Sequence, residues 1–277
     1  MRQKFLIIII SILIEEIKLA LIIEGRLMGL ISLLIIIGSV LYYMYQSLQG
    51  NIPKLRRLSA VDVIDEILGR CVEMGKPAFY LMDNVSMDTP SVLAPTVAAF
   101  QILAYTARSA ARLGAKFFVP VIQGLAYTIA SEVVEEAYRA EDKLDELKLD
   151  EQVMYLPDGA DRMYIINRMW SEEMAGTFFI GSWYHKAVIF TENAKRVGAM
   201  TLGGTDTTHN IPFLVAICDY SVIGEELYAL GAYLSEDVTN SSSIAGQDIG
   251  KYIAIGLILI GSLLLTVGID ITGILGI

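Results

Sequence analysis

Between Leu27 and Pro53 the chain carries no charged residue, and Leu27 to Gln46 is almost wholly apolar. At about 1.5 Å of rise per residue, a helix of that length crosses a hydrocarbon layer of roughly 30 Å, so the segment reads as a transmembrane helix. Tyr42, Tyr43 and Tyr45 cluster at its C-terminal end, where amphipathic rings favour the headgroup layer. A second uncharged run extends from Tyr252 to Ile269 and is followed by Asp270 and an apolar tail. A fold for this chain must therefore place something between two membrane-spanning ends.

The opening segment is different. Phe5 to Ile14 is apolar, but Glu15, Glu16 and Lys18 interrupt it, and a charge at mid-bilayer costs about 2.5 to 3.5 kcal/mol. Two readings stand for residues 1–26: an interfacial or partner-covered helix, or a stretch upstream of a start at Met28. Lys54, Arg56 and Arg57 lie just after the first span and Lys251 just before the last, with nothing basic beyond it. By the positive-inside rule the middle of the chain faces the cytoplasm of a cell membrane. Mean hydropathy is +0.53, and a net charge of −10 opposes broad contact with nucleic acid. Cys71 and Cys218 each lie in an apolar periodic stretch and read as reduced thiols, not as a disulfide framework.

The middle alternates helical and strand patterns. Ser59 and Asp62 have capping-box spacing ahead of Ile64, Ile67, Leu68 and Cys71, predicting a helix over about 60–74 that Gly75 stops. Ala78 to Met82 then reads as a short buried strand. The same punctuation predicts helices near 95–113, 124–148, 160–173 and 184–196. Strands are expected at 116–121, 153–156, 177–180, 197–202 and 212–218, and a last helix runs from Ile223 to Leu234. Strands apolar on both faces, alternating with helices, indicate a three-layer, Rossmann-like α/β domain with a parallel or mixed sheet. Residues 135–151 carry a dense run of charge that reads as a solvated helical face. The expected organisation is an uncertain segment over 1–26, a transmembrane helix over 27–46, a cytoplasmic α/β domain over 47–240, a linker over 241–251, and a transmembrane helix over 252–277.

Several stretches resemble a known family: Val197 to Asp206, Ile211 to Tyr220, Ile223 to Tyr228 and Gly246 to Lys251, with Leu55 to Leu58 and Arg70 to Gly75 in support. They are similar to an uncharacterised family of prokaryotic membrane proteins of unknown function, over roughly residues 28–268. The resemblance implies an α/β domain between N- and C-terminal transmembrane helices. It implies no reaction, cofactor or catalytic residue.

In open α/β sheets ligands bind beyond the carboxyl ends of the strands, which selects the positions to inspect. Asp83 and Asn84 follow the first expected strand, Gln123 the second, Asp158 the third, and Asp219 the one ending at Cys218. The stretch Gly203-Gly-Thr-Asp-Thr-Thr-His209 offers glycines for close approach, the Thr205 hydroxyl, and Asp206 with His209 as an acid/base pair. It is equally the composition of a turn. Gly69 to Lys76 imitates a phosphate loop but has five residues between its glycines and Pro77 where Ser or Thr belongs, and no GxGxxG occurs. His185 reads as a packed or capping residue, and Ser182 lacks the second glycine of a nucleophile elbow. Two histidines and two distant cysteines make a metal site improbable, and no cofactor is indicated.

The first functional expectation is a membrane-anchored assembly or sensor protein, homo-oligomeric and non-catalytic. The alternative is a membrane-tethered enzyme or binding protein for a small, nucleotide-like ligand, using Asp83, Asn84, Thr205, Asp206, His209 and Asp219.

Overall fold

The computed structural model describes residues 27–50, 58–83, 85–157, 159–235 and 238–267. The chain divides into two compact units, Leu55–Asp237 and the segments that flank it.

In the flanking unit, α1 (Leu27–Leu48) pairs with a long C-terminal helix, Val238–Thr266. They run antiparallel: Ser39 Oγ donates to the Gly246 carbonyl at 2.8 Å, and the Ser47 and Ser242 hydroxyls meet at 2.7 Å. A Cβ on Gly246 would lie 2.6 Å from the Val40 Cα, so the close approach requires glycine. Outward-facing Leu33, Leu34, Leu41, Ile258 and Leu263 stay exposed within the unit. The expected linker over 241–251 is absent. These residues are helical, and Ser242 and Gly246 are small enough to let the two helices touch.

The other unit begins with α2 (Ser59–Met74), β1 (Ala78–Asp83), α3 (Pro90–Leu113), β2 (Phe117–Val121) and α4 (Gly124–Ala140). A single 3₁₀ turn (Leu144–Glu146) leads to α5 (Leu149–Gln152), β3 (Val153–Tyr155), α6 (Asp161–Ser171) and β4 (Gly176–Gly181). The domain closes with α7 (Lys186–Val197), β5 (Met200–Thr205), α8 (Ile211–Ile217), β6 (Tyr220–Ile223) and α9 (Glu225–Ser235). The Val238–Thr266 helix of the flanking unit is therefore α10. Among the described residues three helices are long and apolar enough to cross a membrane: Gly29–Leu48, Pro90–Leu113 and Thr239–Thr266. Of these, α3 already spends its apolar face inside the α/β unit, where Ala98, Ala99, Ile102, Leu103, Ala107 and Ala110 are buried.

Helices α2, α3 and α7 end the same way. Gly75, Gly114 and Gly198 sit at φ of 67, 73 and 83°, and the next residue's N–H closes back onto the carbonyls of Cys71, Ala110 and Ala194. Glycine adopts this left-handed cap without steric cost and turns the chain directly into the following strand. Leu58, not Ser59, is the residue that caps α2, so the expected capping box does not form.

All six strands are parallel, in the order β3-β2-β1-β4-β5-β6. Alternate side chains serve opposite faces. Tyr80, Phe117, Phe178 and Leu202 pack with α2, α3, α4 and α9, while Phe79, Leu81, Phe118 and Phe179 pack with α6, α7 and α8. This is a doubly wound α/β fold whose winding reverses between β1 and β4.

Two expected elements change identity. The expected strand over 212–218 is instead helix α8 (Ile211–Ile217), with Cys218 just past its end: Pro212 sits at a helix start, where its missing N–H is harmless, and seven apolar residues fit either structure. The sixth strand follows instead at Tyr220–Ile223. The expected helix over 124–148 also stops early, at Ala140, and residues 144–152 form short turns.

Candidate functional site

At the carboxyl end of β1, Asp83 pairs in register with Gly181, the last residue of β4. Gly181 has φ of 127°, and a Cβ there would lie 3.2 Å from the Asp83 carbonyl oxygen. Only glycine lets the β4 chain turn out at this point. The turn that follows, 182–185, is held from below. Trp183 is buried edge-on between Phe179 and Phe190, its backbone N–H reaches the Thr205 hydroxyl, and its backbone carbonyl accepts from the Asn210 amide. The Tyr184 N–H then points at the Asp83 carboxylate, 3.4 Å away.

Lys186, the first residue of α7, turns into the domain and is only 8% exposed. Its Nζ donates to Asp161 Oδ2 at 2.9 Å and lies 3.9 Å from Asp83 Oδ1. Asp161 is fully buried at the start of α6, and its other oxygen accepts the Gly159 N–H at 3.0 Å. Burial alone would raise the Asp161 pKa, but the Lys186 ammonium and the backbone N–H donors outweigh it and hold the carboxyl below its ordinary value of 3.8. A buried cation between two buried carboxylates links β1, α6 and α7.

Asp83 and Lys186 of this cluster open onto a cleft of about 540 Å³ lined also by Met82, Val85, Val121, Gln123 and Arg162, among others, with Tyr184 and His185 beside Lys186 on its α7 side. The size lies within the range of small-molecule sites. Three helices of the domain begin at its rim: α4 after Gln123, α6 at Asp161 and α7 at Lys186. The cleft opens where β1 and β4 diverge, the position at which doubly wound folds leave a crevice because neighbouring connections leave in opposite directions.

The residues singled out in sequence separate into three groups. Asp83 lies in the cleft, while Asn84, Asp158 and Asp270 fall outside the described residues. Thr205 and Asp206 lie one strand away. Thr205 is buried at the end of β5 and accepts N–H groups from Trp183 and Thr207. Asp206 accepts hydroxyls from Ser182 at 2.7 Å, Tyr228 at 3.0 Å and Thr207 at 3.3 Å. Burial, reinforced by the Asp206 charge, raises the Tyr228 phenol well above its ordinary value. Asp206 and His209 do not bond to each other as an acid/base pair. His209 is exposed and lies against the Tyr184 ring, with centroids 5.4 Å apart. The 203–205 segment is strand, and the remainder is a turn that braces the cleft's α7 side.

Asp219 is a correction. It precedes β6 instead of following a strand, which puts it at the amino ends of the sheet, on the edge opposite Asp83. There it accepts the Thr201 N–H at 2.9 Å and hydroxyl at 3.0 Å and pairs with Lys195. Against the effect of burial, these partners lower its pKa. Cys71 and Cys218 are free, and burial pushes both thiols up to about 12, so neither is a nucleophile at neutral pH. Lys186, Asp161, Arg162 and Tyr184 were not selected from sequence. The signal was available in Gly181-Ser-Trp-Tyr-His-Lys186, a polar and aromatic run directly after a fully buried strand.

A family model covers nearly the whole of this architecture, matching residues 18–274. The chain belongs to the family described as domain of unknown function DUF6754. The match starts ten residues upstream of Met28 and takes in both the α/β unit and the described helices of the flanking unit. No curated protein and no solved structure matches the chain. What the DUF6754 domain does therefore has to be argued from its own cleft.

Proposed function

We propose that this DUF6754 protein is a membrane-anchored receptor for a small molecule, bound in the cleft at the carboxyl ends of β1 and β4. The observation that carries the reading is the ion cluster there. Burying Lys186, Asp83 and Asp161 together costs several kcal/mol of desolvation that apolar side chains of similar volume would avoid. Such a cluster at the winding reversal, flooring an open cleft, supports a binding role more than a purely structural one. The mode differs from that of dinucleotide enzymes, since the connection after β1, residues 84–89, has no glycine to bring backbone against a pyrophosphate.

Helices α1 and α10 supply the anchor in this reading, and the basic residues Lys54, Arg56, Arg57 and Lys251 beside them support a domain on the cytoplasmic side of a cell membrane. Self-association takes second place. Ser39, Ser47, Ser242 and Gly246, small groups that favour helix contact, are used between α1 and α10 of one chain.

The test is native mass spectrometry of the full chain released from lipid nanodiscs, for wild type and Gln123→Trp. Gln123 is exposed at the cleft rim, so the indole narrows the mouth without entering the core. A small-molecule adduct on wild type that disappears in the variant supports the proposal, and the same spectrum counts subunits. An adduct that survives the indole, or none on wild type, rejects it.

A further inference from the structure

Within the cleft the charges are not evenly matched. Lys186 is paired with Asp161 and faces Asp83, and the Asp83 carboxylate also receives the Tyr184 N–H. Arg162 has no such match. Its guanidinium makes one hydrogen bond among the described residues, from Nη2 to the His185 Nε2 at 3.1 Å, and no ion pair. A guanidinium carries only donors, so in this bond the imidazole nitrogen is the acceptor and no carboxylate is involved. The Nε of Arg162 is buried without a hydrogen-bond partner among the described residues, a costly state for a charged donor. The cleft thus presents a half-buried cation with donors to spare, beside Tyr184, whose other neighbour is the His209 ring. Met82, Val85 and Val121 supply an apolar wall.

Resting on the receptor reading above, we infer that the ligand carries an oxyanion, a phosphate or carboxylate, that docks on Arg162, and an aromatic or apolar body that lies along Tyr184 and Val85. An oxyanion supplies the two acceptors a guanidinium fork is shaped for. It satisfies a cleft cation, Arg162, that has no carboxylate partner among the described residues. The overall charge of −10 gives no long-range attraction for such a ligand, so recognition is local to this fork.

Binding is measured on the full chain in nanodiscs with adenosine 5′-monophosphate, 4-hydroxybenzoate and uncharged adenosine as probes. The proteins are wild type, Arg162→Gln, Arg162→Lys and, as a control for general electrostatics, Lys148→Gln on an exposed surface. At least one anionic probe is expected to bind wild type and to weaken about 10- to 100-fold in Arg162→Gln, the range for loss of a charge-assisted hydrogen bond. Arg162→Lys falls between them, Lys148→Gln matches wild type, and adenosine does not compete. The tighter anionic probe names the headgroup. Anionic probes that bind Arg162→Gln as well as wild type overturn the inference, as does failure of both to bind. If Gln123→Trp still removes an adduct, and that adduct is neutral or cationic, the cleft stands as a receptor and only the oxyanion assignment falls.

Discussion

Replacing Asp161 with Asn removes one negative charge from beneath the cleft while preserving shape and the acceptor for the Gly159 N–H. Removing one partner of a buried ion pair costs about 3–5 kcal/mol, because the other charge stays behind without compensation. Lys186 is 8% exposed and cannot swing into solvent freely, but Asp83 lies 3.9 Å from its Nζ and compensates in part. The cost for Asp161→Asn is therefore expected at or just below the bottom of that range, about 2–3 kcal/mol, and for a domain of this size that lowers the melting temperature by roughly 4–12 °C. Lys186→Met strands two carboxylates and costs at least as much, whereas the double variant costs less than the sum of the singles. Circular dichroism melts of the full chain in nanodiscs measure all three. The pH dependence has a definite sign. The Asp161 carboxyl is held below 3.8 in the fold, so its contribution is complete above that value and is lost as pH falls through the folded pKa. Asp161→Asn loses this part of the acid sensitivity and keeps the part due to Asp219, which is lowered in the same direction. Single variants within about 0.5 kcal/mol of wild type, or strict additivity in the cycle, would refute the buried cluster.

Asp206→Ala strips the hydroxyls of Ser182, Tyr228 and Thr207 of a shared acceptor and is expected to cost about 1–3 kcal/mol in a denaturant melt, while His209→Ala costs less than about 0.5. Gly176→Ala would set a Cβ 2.4 Å from Ile67 Cγ2 and 2.7 Å from Cys71 Sγ, overpacking α2 against β4 by about 1–3 kcal/mol in the same assay. Gly246→Leu forces α10 away from the Val40 backbone. Disulfide trapping between cysteines placed at Ser47 and Ser242, efficient in the parent, is expected to fall sharply in that variant.

Much of the α/β unit was legible because its punctuation is local. Glycine after an amphipathic helix, then a short run of β-branched and aromatic residues, identifies α2–β1, α3–β2 and α7–β5 without knowledge of the rest of the chain. Proline in a seven-residue apolar run does not have one meaning. Reading Pro212–Cys218 as a strand turned the sheet over at one position and carried Asp219 to the wrong edge, so a single misassigned element misplaced a site candidate. The ion cluster was harder for a different reason. Asp83, Asp161 and Lys186 meet because β4 lies beside β1 rather than beside β3, and strand order is a property of the whole sheet that no local pattern encodes. Asp83 was found by its place after a buried strand, and the same rule applied to β4 would have reached Tyr184 and Lys186.

The account places the ligand at the reversal between β1 and β4, not in the 203–209 turn and not at the amino edge beside Asp219. Hydrogen–deuterium exchange of the full chain in nanodiscs, before and after incubation with a low-molecular-mass metabolite extract, tests that placement most directly. Slowed exchange confined to the Ser182–Lys186 segment and the start of α4 is the predicted result. Protection centred on 206–209 or on the Lys195–Asp219 edge, or unchanged exchange throughout, would contradict it.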